Sequence, residues 1–393
     1  MLLEESCRTL EQFLFPLTLA EFLDDGLTGG FRKIPANGRP FRLELLGSDP
    51  GQVLLEAFHL APKLTFHSAN PLGSPPSLFS ITDEPTFRSR IAQFHSRNYS
   101  VRFPELRPLS PALDALARAL EIVLHQPVTT SAFWSRGGMK APVHCDDHDL
   151  IVVQLRGAKR WFISKLPSEL NNTWKPIPVN AAVLGAHDIL DVAPGDLLYL
   201  PRGTLHSVES DGESLHLSIG FTPLTVRDAM IAALDHLSDL DRGLRMSVGG
   251  RLAFQLRGGG LESLFPSILD GVGRLFAASK SPGFLAAALQ RRSARSVALL
   301  RPLPRPELHP TVTLDTVVRH GETSFCYLTA NSETIDFSYP GGHEYIHPGA
   351  TDSIVYIVNT PTFRVRDIAG EIDDDVRLSL ATKLLAIGFL RLQ

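Results

Sequence analysis

Three side chains, His144, Asp146 and His206, have types and a spacing that suit one metal ion. His144 and Asp146 are two residues apart, so on a strand both side chains would point to the same face. His206 follows about 60 residues later, after a Pro-Gly-Asp turn that starts at Pro194. Two imidazoles and one carboxylate can hold one face of an octahedral ion and leave the other face open, as in non-haem Fe(II) oxygenases. The pattern therefore predicts an iron site.

Two further residues suit a cosubstrate of such an ion. The open face of the iron could bind 2-oxoglutarate through its keto-acid end, and the far carboxylate would then need a cation. Lys159 lies 15 positions after His144 and shares the inward-facing side of a predicted strand with Trp161. Ser135, nine residues before His144, could donate a hydroxyl to the same carboxylate. We therefore predict that Lys159 and Ser135 bind 2-oxoglutarate.

Short strands separated by turn residues must position these side chains. Residues 150–155 form a nearly continuous apolar run, and polar and apolar residues alternate over 159–163 and 214–219. Several short strands with regular turn signals predict a sandwich or a barrel. The alternation over 214–219 places His216 and two serines on one face, which would line a cavity.

The region that precedes these strands has a mixed pattern. A capping box at Thr18 predicts a short helix, and residues 41–46 and 53–58 have the composition of short strands. Ser110 precedes a proline and a run with apolar residues on one helical face, so a longer helix is expected to begin there.

The region that follows the strands changes its periodicity twice. Residues 224–300 have helical periodicity, and residues 301–310 begin with a proline-rich segment that is typical of a stiff linker. Residues 311–393 combine short strands with a final helix, expected from Asp373 to about Arg391.

A second histidine pattern, His343 to His347, spells the H-E-x-x-H motif of zinc metalloproteases. That chemistry needs a helix, because only a helix brings both imidazoles to one face at this spacing. Prolines and glycines flank the motif on both sides, and the residue before a proline is biased away from the helical conformation. We therefore predict a loop or a turn rather than a protease site.

The sequence around the predicted iron ligands resembles the JmjC domains of the ribosomal oxygenases. This cupin-like group includes bacterial ribosomal-protein arginine hydroxylases and nucleolar histidine hydroxylases. The similar segments are residues 135–146, 150–163, 194–206 and 214–221. The resemblance implies an α+β fold, in which a double-stranded β-helix (JmjC/cupin) barrel precedes a helical dimerisation module and a winged-helix-like C-terminal domain.

The resemblance also implies domain boundaries and residue roles. The oxygenase domain would span 1–223, the helical dimerisation domain 224–300, the linker 301–310 and the winged-helix-like domain 311–393. By the same resemblance, His144, Asp146 and His206 would bind iron, Lys159 would bind the side-chain carboxylate of 2-oxoglutarate, and Ser135 would assist. A homodimer is implied as well.

The leading hypothesis is therefore an Fe(II)- and 2-oxoglutarate-dependent oxygenase that hydroxylates a protein side chain, with histidine or arginine of a ribosomal protein as the candidate substrate. One alternative is an oxygenase of a small metabolite or a peptide natural product, which would use the same site residues. Another is a non-catalytic, cupin-like metal-binding sensor or assembly protein. Lys159 distinguishes the last alternative, because a structural metal site needs no buried cation opposite it.

Composition limits the partners and the location. With 393 residues, 44% of them hydrophobic and 20% charged, the chain has the composition of a globular protein of more than one domain. Residues 311–393 carry six Lys/Arg against eleven Asp/Glu, a net charge of −5, which argues against direct nucleic-acid binding. Three scattered cysteines, no apolar run long enough for a membrane span and no signal-peptide pattern predict a cytoplasmic protein.

Overall fold

The computed structural model describes most of the chain and divides it into two compact units, Met1–Pro223 and Leu224–Gln393. The described residues are 2–26, 30–36, 38, 40–79, 81–168, 183–247, 265–305, 311–330 and 334–393. Within these segments, every helix is too short or too polar to serve as a transmembrane span.

In the first unit, the described strands form two antiparallel sheets. The strands are β1 (Arg32–Ile34), β2 (Thr65–His67), β3 (Ser100–Pro104), β4 (Val128–Ser135), β5 (Met139–Lys140), β6 (Asp149–Arg156), β7 (Lys159–Ser164), β8 (His187–Val192), β9 (Leu197–Leu200), β10 (His206–Ser210) and β11 (Ser214–Phe221). One sheet has the order β1-β9-β6-β11-β4-β3-β2, and the other has the order β5-β10-β7-β8.

The two sheets pack face to face around a shared apolar core. Leu150, Val152 and Leu198 of the larger sheet are buried against Trp161 and Val208 of the smaller one. Strand β6 is buried along almost its whole length, because one face meets this core and the other meets the helices outside. This packing closes the barrel that the strand pattern predicted.

Helices cover the outer face of the larger sheet. They are α1 (Leu2–Leu14), α2 (Leu19–Glu21), α3 (Pro50–Glu56), α4 (Glu84–Ser96) and α5 (Pro111–Leu124). Helix α5 begins as predicted, since the Ser110 hydroxyl accepts a hydrogen bond from the backbone N–H of Leu113. Its apolar face, including Leu116 and Leu120, packs in one core with Trp134 of β4 and Leu217 of β11.

The predicted strands at 41–46 and 53–58 are wrong. Pro40–Arg42 is a 3₁₀ turn, and residues 50–56 are helix α3. The Asp49 carboxylate accepts a hydrogen bond from the N–H of Gln52, and a proline occupies the first helical position. These two start signals outweigh the strand-like composition of the apolar residues that follow.

The second unit combines helices with two three-stranded antiparallel sheets. The elements are α6 (Val226–Leu240), α7 (Phe265–Ala278), α8 (Pro282–Ala298), β12 (Val317–His320), β13 (Tyr327–Ala330), β14 (Ile335–Tyr339), β15 (Gly342–Ile346), α9 (Thr351–Asn359), β16 (Thr362–Arg364), α10 (Asp374–Ala386) and β17 (Leu390–Leu392). The sheets have the orders β16-β12-β17 and β13-β14-β15. Leu303, inside the segment predicted as a linker, is buried in the core of this unit with Phe337 and Ile354; residues 306–310 lie outside the described residues.

Two details of the C-terminal region differ from the sequence-based expectation. The final helix ends at Ala386 instead of continuing to Arg391, because Gly388 adopts φ +81° and the chain then returns as β17. The segment from His343 to His347 is not a helix, as expected, but most of it forms strand β15 rather than a loop. On a strand, the two histidines of the H-E-x-x-H motif do not share the close pairing that a zinc site of that kind needs.

Candidate metal centre

The three predicted ligands converge in the first unit. One ligand atom each from His144, Asp146 and His206 lies within 4.8 Å of the other two. His206 Nε2 is 3.7 Å from Asp146 Oδ2, which is too long for a hydrogen bond. The two imidazole centroids are 4.3 Å apart. The donors therefore surround a common point without bonding to one another.

Backbone pairing brings these ligands together. His144 and Asp146 lie in the loop between β5 and β6, so the prediction that they share a strand face is wrong. His144 instead forms an isolated antiparallel bridge with His206. The N–H of His144 donates to the carbonyl of His206 at 3.0 Å, and the N–H of His206 donates back at 2.8 Å. Gly203, at φ +76°, donates its N–H to the Asp146 carbonyl at 2.7 Å, and this bond holds Asp146 against the turn before β10.

Hydrogen bonds orient both imidazoles with Nε2 toward the common point. His144 Nδ1 is 2.8 Å from the carbonyl of Pro142, and His206 Nδ1 is 2.9 Å from the carbonyl of Thr204. Because a carbonyl only accepts, Nδ1 carries a proton in each ring, and Nε2 is the ring nitrogen that faces the common point. Burial, together with the smaller effect of the neighbouring His144, lowers the pKa of His206 to about 4, so the ring is neutral at physiological pH. A neutral imidazole is the form that binds a metal ion.

Lys159 is a buried cation near the triad, as the alternation along β7 predicted. Its side chain is 2% exposed. Its Nζ lies 2.8 Å from His216 Nδ1 and 3.3 Å from the carbonyl of Phe133. Burial lowers the pKa of Lys159 to about 7 and that of His216 well below its usual range, so His216 is neutral and Nδ1 accepts the bond from the lysine.

No carboxylate among the described residues forms an ion pair with Lys159. A buried ammonium that meets only a neutral ring and a carbonyl is costly unless a ligand supplies the anion. The lysine therefore marks a place where a negatively charged group is expected to bind.

A cavity of about 270 Å³ connects the triad with Lys159. Its lining consists of His67, Ser100, Arg102, Thr129, Ser131, Phe133, Met139, Ala141, His144, Asp146, His148, Leu150, Val152, Lys159, Trp161, His206, Val208, His216 and Ser218. His216 and Ser218 belong to the polar face of β11 that was expected to line a cavity.

Trp161 bridges the two parts of this cavity. Its ring stacks on His206 with a centroid distance of 5.5 Å and lies 5.7 Å from the ring of His216, which contacts Lys159. The indole Nε1 is buried without a hydrogen-bond partner among the described residues. A water or a bound molecule in the cavity can supply the acceptor for such a donor.

The structure does not bring Ser135 to the cavity. Its side chain is completely buried, and its Oγ lies 3.0 Å from Ser210 Oγ and 3.5 Å from the carbonyl of Ser214. Ser135 is the last residue of β4, two positions beyond Phe133, which does line the cavity. The predicted role of Ser135 in cosubstrate binding therefore has no support in the geometry.

Sequence reasoning missed three polar residues of β2 and β3 that line the cavity, His67, Ser100 and Arg102. Ser100 Oγ is buried without a partner, and Arg102 forms no hydrogen bond or ion pair with the described residues. The alternation of polar and apolar residues over 100–103 is a strand signal that places Ser100 and Arg102 on one face. Only the long-range pairing of β3 with β4 reveals that this face is the inner one.

The site fits a divalent first-row metal ion with an open coordination face. Two imidazole nitrogens and one carboxylate oxygen are the donor set of the facial triad that non-haem iron takes. In both rings Nδ1 donates to a backbone carbonyl, which leaves Nε2 to face an ion, and no basic side chain competes for Asp146 among the described residues apart from His206 at 3.7 Å. Lys159, with its unmatched charge, fits the far carboxylate of a dicarboxylate ligand.

Comparisons with known proteins agree with this geometry. Residues 109–229 match the JmjC domain family model. The chain is 29% identical to ribosomal oxygenase 2 of Rattus norvegicus over 130 residues, which are 32% of this chain and 28% of that protein. It is 34% identical to the uncharacterized protein YxbC of Bacillus subtilis over 166 residues, which are 36% of this chain and 49% of that protein. The matches therefore span less than half of the length of these relatives.

Solved structures share the fold over nearly the whole chain. The ribosomal oxygenase YcfD of Escherichia coli aligns with 96% of this chain and 98% of its own, with a TM-score of 0.55 and 15% identity. YcfD has also been solved in complex with cobalt and 2-oxoglutarate, and that structure aligns with a TM-score of 0.53 and 14% identity. These likenesses establish the JmjC/cupin fold with its helices and antiparallel sheets. The resemblance seen in the sequence is confirmed: residues 109–229 are a JmjC domain, and across that domain the chain is similar to the ribosomal oxygenases.

Proposed function

We propose that this protein is an Fe(II)- and 2-oxoglutarate-dependent oxygenase that hydroxylates a side chain of another protein. The observation that carries the proposal is Lys159, a buried cation that pairs with no carboxylate of the described residues and lies in the cavity that the metal triad lines. A metal-binding sensor would not need this cation. The complex of YcfD with cobalt and 2-oxoglutarate supports the same ligand pair.

In this function, His144, Asp146 and His206 hold the iron. Iron with 2-oxoglutarate and O₂ supplies the oxidising power for an unactivated C–H bond. Lys159 pairs with the far carboxylate of 2-oxoglutarate, and the attraction between the two charges offsets the cost of keeping the ammonium out of water. His216 orients the lysine, and the apolar wall of Trp161 excludes water between the two ends of the cosubstrate.

We propose a ribosomal protein as the substrate class, because ribosomal oxygenases are among the relatives. Residues 311–393, for which the resemblance implies a winged-helix-like domain, would contact the substrate. Their net charge of −5 attracts a basic polypeptide and repels nucleic acid. A cytoplasmic location is proposed as well, because the three cysteines form no disulfide with one another.

The direct test is succinate release from 2-oxoglutarate. The anaerobically purified protein, loaded with Fe(II) and then exposed to air, should convert 2-oxoglutarate to succinate, and the rate should rise when a ribosomal extract is added. Mass spectrometry should then find a 16 Da addition on one ribosomal protein. Succinate release that requires no Fe(II) would contradict the proposed chemistry.

The helices of the second unit are proposed to form a homodimer. Helix α6 exposes Val226, Met230 and Leu234, and helix α7 exposes Val272 and Phe276. Within each helix these residues are four positions apart, so they form a row along one helical face. Two neighbouring rows of exposed large apolar side chains are typical of a surface that a second copy covers.

Replacing Met230 and Val272 together by glutamate should convert the dimer to a monomer. Two carboxylates in an apolar interface would lose their hydration without gaining a partner. Sedimentation equilibrium should give a mass near the 43.1 kDa of one chain for the double variant and twice that for the wild type. The control Val355→Glu places the same charge on an exposed apolar position of α9 and should remain dimeric. A monomeric wild type would rule out the dimer.

A further inference from the structure

We propose that Arg102 is a specificity-determining residue that binds a carboxylate of the substrate, so that the residue oxidised by this enzyme is acidic. The inference rests on the proposed function and narrows it. It also sets aside histidine and arginine, the two substrate side chains that the sequence analysis named as candidates.

The first support is the position of Arg102. In the larger sheet, Arg102 of β3 pairs with Phe133 of β4, and Phe133 pairs with His216 of β11. Arg102 is thus two strands, or about 10 Å, from the residue that contacts Lys159. The two cations lie in different parts of one cavity, and both line it.

The second support is the set of unpartnered polar groups around Arg102. Ser100 lies two residues away on the same face of β3 and is completely buried, and its hydroxyl has no partner among the described residues. His67 is directly opposite Ser100 in the pairing of β2 with β3 and also lines the cavity. Arg102 itself makes no hydrogen bond or ion pair with the described residues. These three adjacent side chains form no side-chain hydrogen bond with the described residues, so together they can serve as a subsite for a polar ligand group.

The third support is the charge of the cavity. Its lining contains two cations, Arg102 and Lys159, and one carboxylate, Asp146. A divalent ion and the doubly charged cosubstrate cancel each other, so one positive charge remains. A guanidinium or ammonium substrate would be repelled by that charge, whereas a carboxylate can accept a forked pair of hydrogen bonds from Arg102 and one from Ser100.

The test measures binding without turnover. The full-length protein is loaded with Mn²⁺, which is paramagnetic, and saturated with 2-oxoglutarate. Proton NMR then follows how strongly the ion relaxes the protons of capped single residues, namely the N-acetyl, N-methylamide derivatives of aspartate, glutamate, histidine and arginine. N-acetylalanine, with a C-terminal carboxylate only, and acetate, a free small acid, show whether the carboxylate comes from a side chain, a chain end or a metabolite.

We expect at least one acidic compound to bind tenfold or more tightly than the arginine and histidine compounds. Arg102→Met should remove that preference and leave the affinities for Mn²⁺ and 2-oxoglutarate within twofold of the wild type, which also shows that the variant is folded. Arg102→Gln, which keeps some polarity, should behave in the same way. The matched control Arg8→Met removes an exposed arginine of α1 and should change nothing.

Four results would overturn the inference. One is an acid preference that persists in Arg102→Met, and another is histidine or arginine binding as tightly as the acids. The third is a tenfold loss of 2-oxoglutarate affinity in Arg102→Met, which would place Arg102 in the cosubstrate site. A wild-type protein that binds no 2-oxoglutarate would refute the proposed function itself. A wild-type protein that binds 2-oxoglutarate, but whose Mn²⁺ does not enhance the proton relaxation of any acidic compound, would refute only this inference.

Discussion

Replacing His206 by alanine should weaken Mn²⁺ binding by more than about 100-fold and abolish succinate release. Loss of a residue that merely supports a metal ligand costs roughly 10–100-fold in affinity, so loss of a ligand itself should cost more. The bridge between His206 and His144 uses main-chain atoms, so the variant should keep its fold. Titration calorimetry measures the affinity, and circular dichroism checks the fold.

The matched control is His187→Ala. His187 is an exposed histidine of β8 in the same barrel, and its ring nitrogen contacts only the carbonyl of Gly185 among described hydrogen-bonding groups. This variant should bind Mn²⁺ like the wild type. A His206→Ala protein with unchanged Mn²⁺ affinity would show that the triad is not the metal centre.

Replacing Lys159 by methionine should weaken 2-oxoglutarate binding and stabilise the ligand-free protein. Methionine fills a similar volume but carries no charge. A hydrogen bond between charged groups contributes roughly 1.5–3 kcal/mol, so the affinity for 2-oxoglutarate should fall about 10- to 100-fold while the affinity for Mn²⁺ is kept. Calorimetry on the Mn²⁺-loaded protein separates the two affinities.

The stabilisation by Lys159→Met should depend on pH. Because burial lowers the pKa of Lys159 from 10.5 to about 7, the unfolded chain binds a proton in this range that the folded protein does not. The contribution of Lys159 to the wild-type free energy of unfolding therefore rises from pH 7 to pH 10.5. Its destabilising effect is largest below pH 7. The free energy of unfolding of the variant should exceed that of the wild type by roughly 2–4 kcal/mol at pH 6.5 and by little at pH 10.

Urea unfolding at both pH values measures this difference. The control Lys140→Met removes an exposed lysine that pairs with Glu209 and should leave 2-oxoglutarate affinity unchanged. A Lys159→Met protein that is less stable than the wild type below pH 7, or that binds 2-oxoglutarate normally, would contradict the role of this lysine.

Local patterns predicted much of the barrel and the direction of Lys159. Alternation along β7 places Lys159, Trp161 and Ile163 on the buried side, and the start of α5 follows from Ser110 and the proline after it. These signals depend on neighbouring residues only, so the sequence contains them in full.

The remaining features depend on long-range pairing. His144 and Asp146 share a site because their loop hydrogen-bonds to the start of β10, not because of strand periodicity. Ser135 has the right spacing, but its hydroxyl faces Ser210 instead of the cavity. Arg102 reaches the cavity only because β3 pairs with β4. Spacing along the chain carries no information about such neighbours.

His144 and His206 are held together by main-chain hydrogen bonds, so the backbone of the metal centre does not depend on their side chains. A descendant that lost one imidazole would keep the barrel, the indole wall and the buried lysine. In the proposed function, such a lineage would keep the lysine that pairs with the far carboxylate of 2-oxoglutarate after its oxidative chemistry had gone. A single codon change can thus separate ligand recognition from catalysis in evolution.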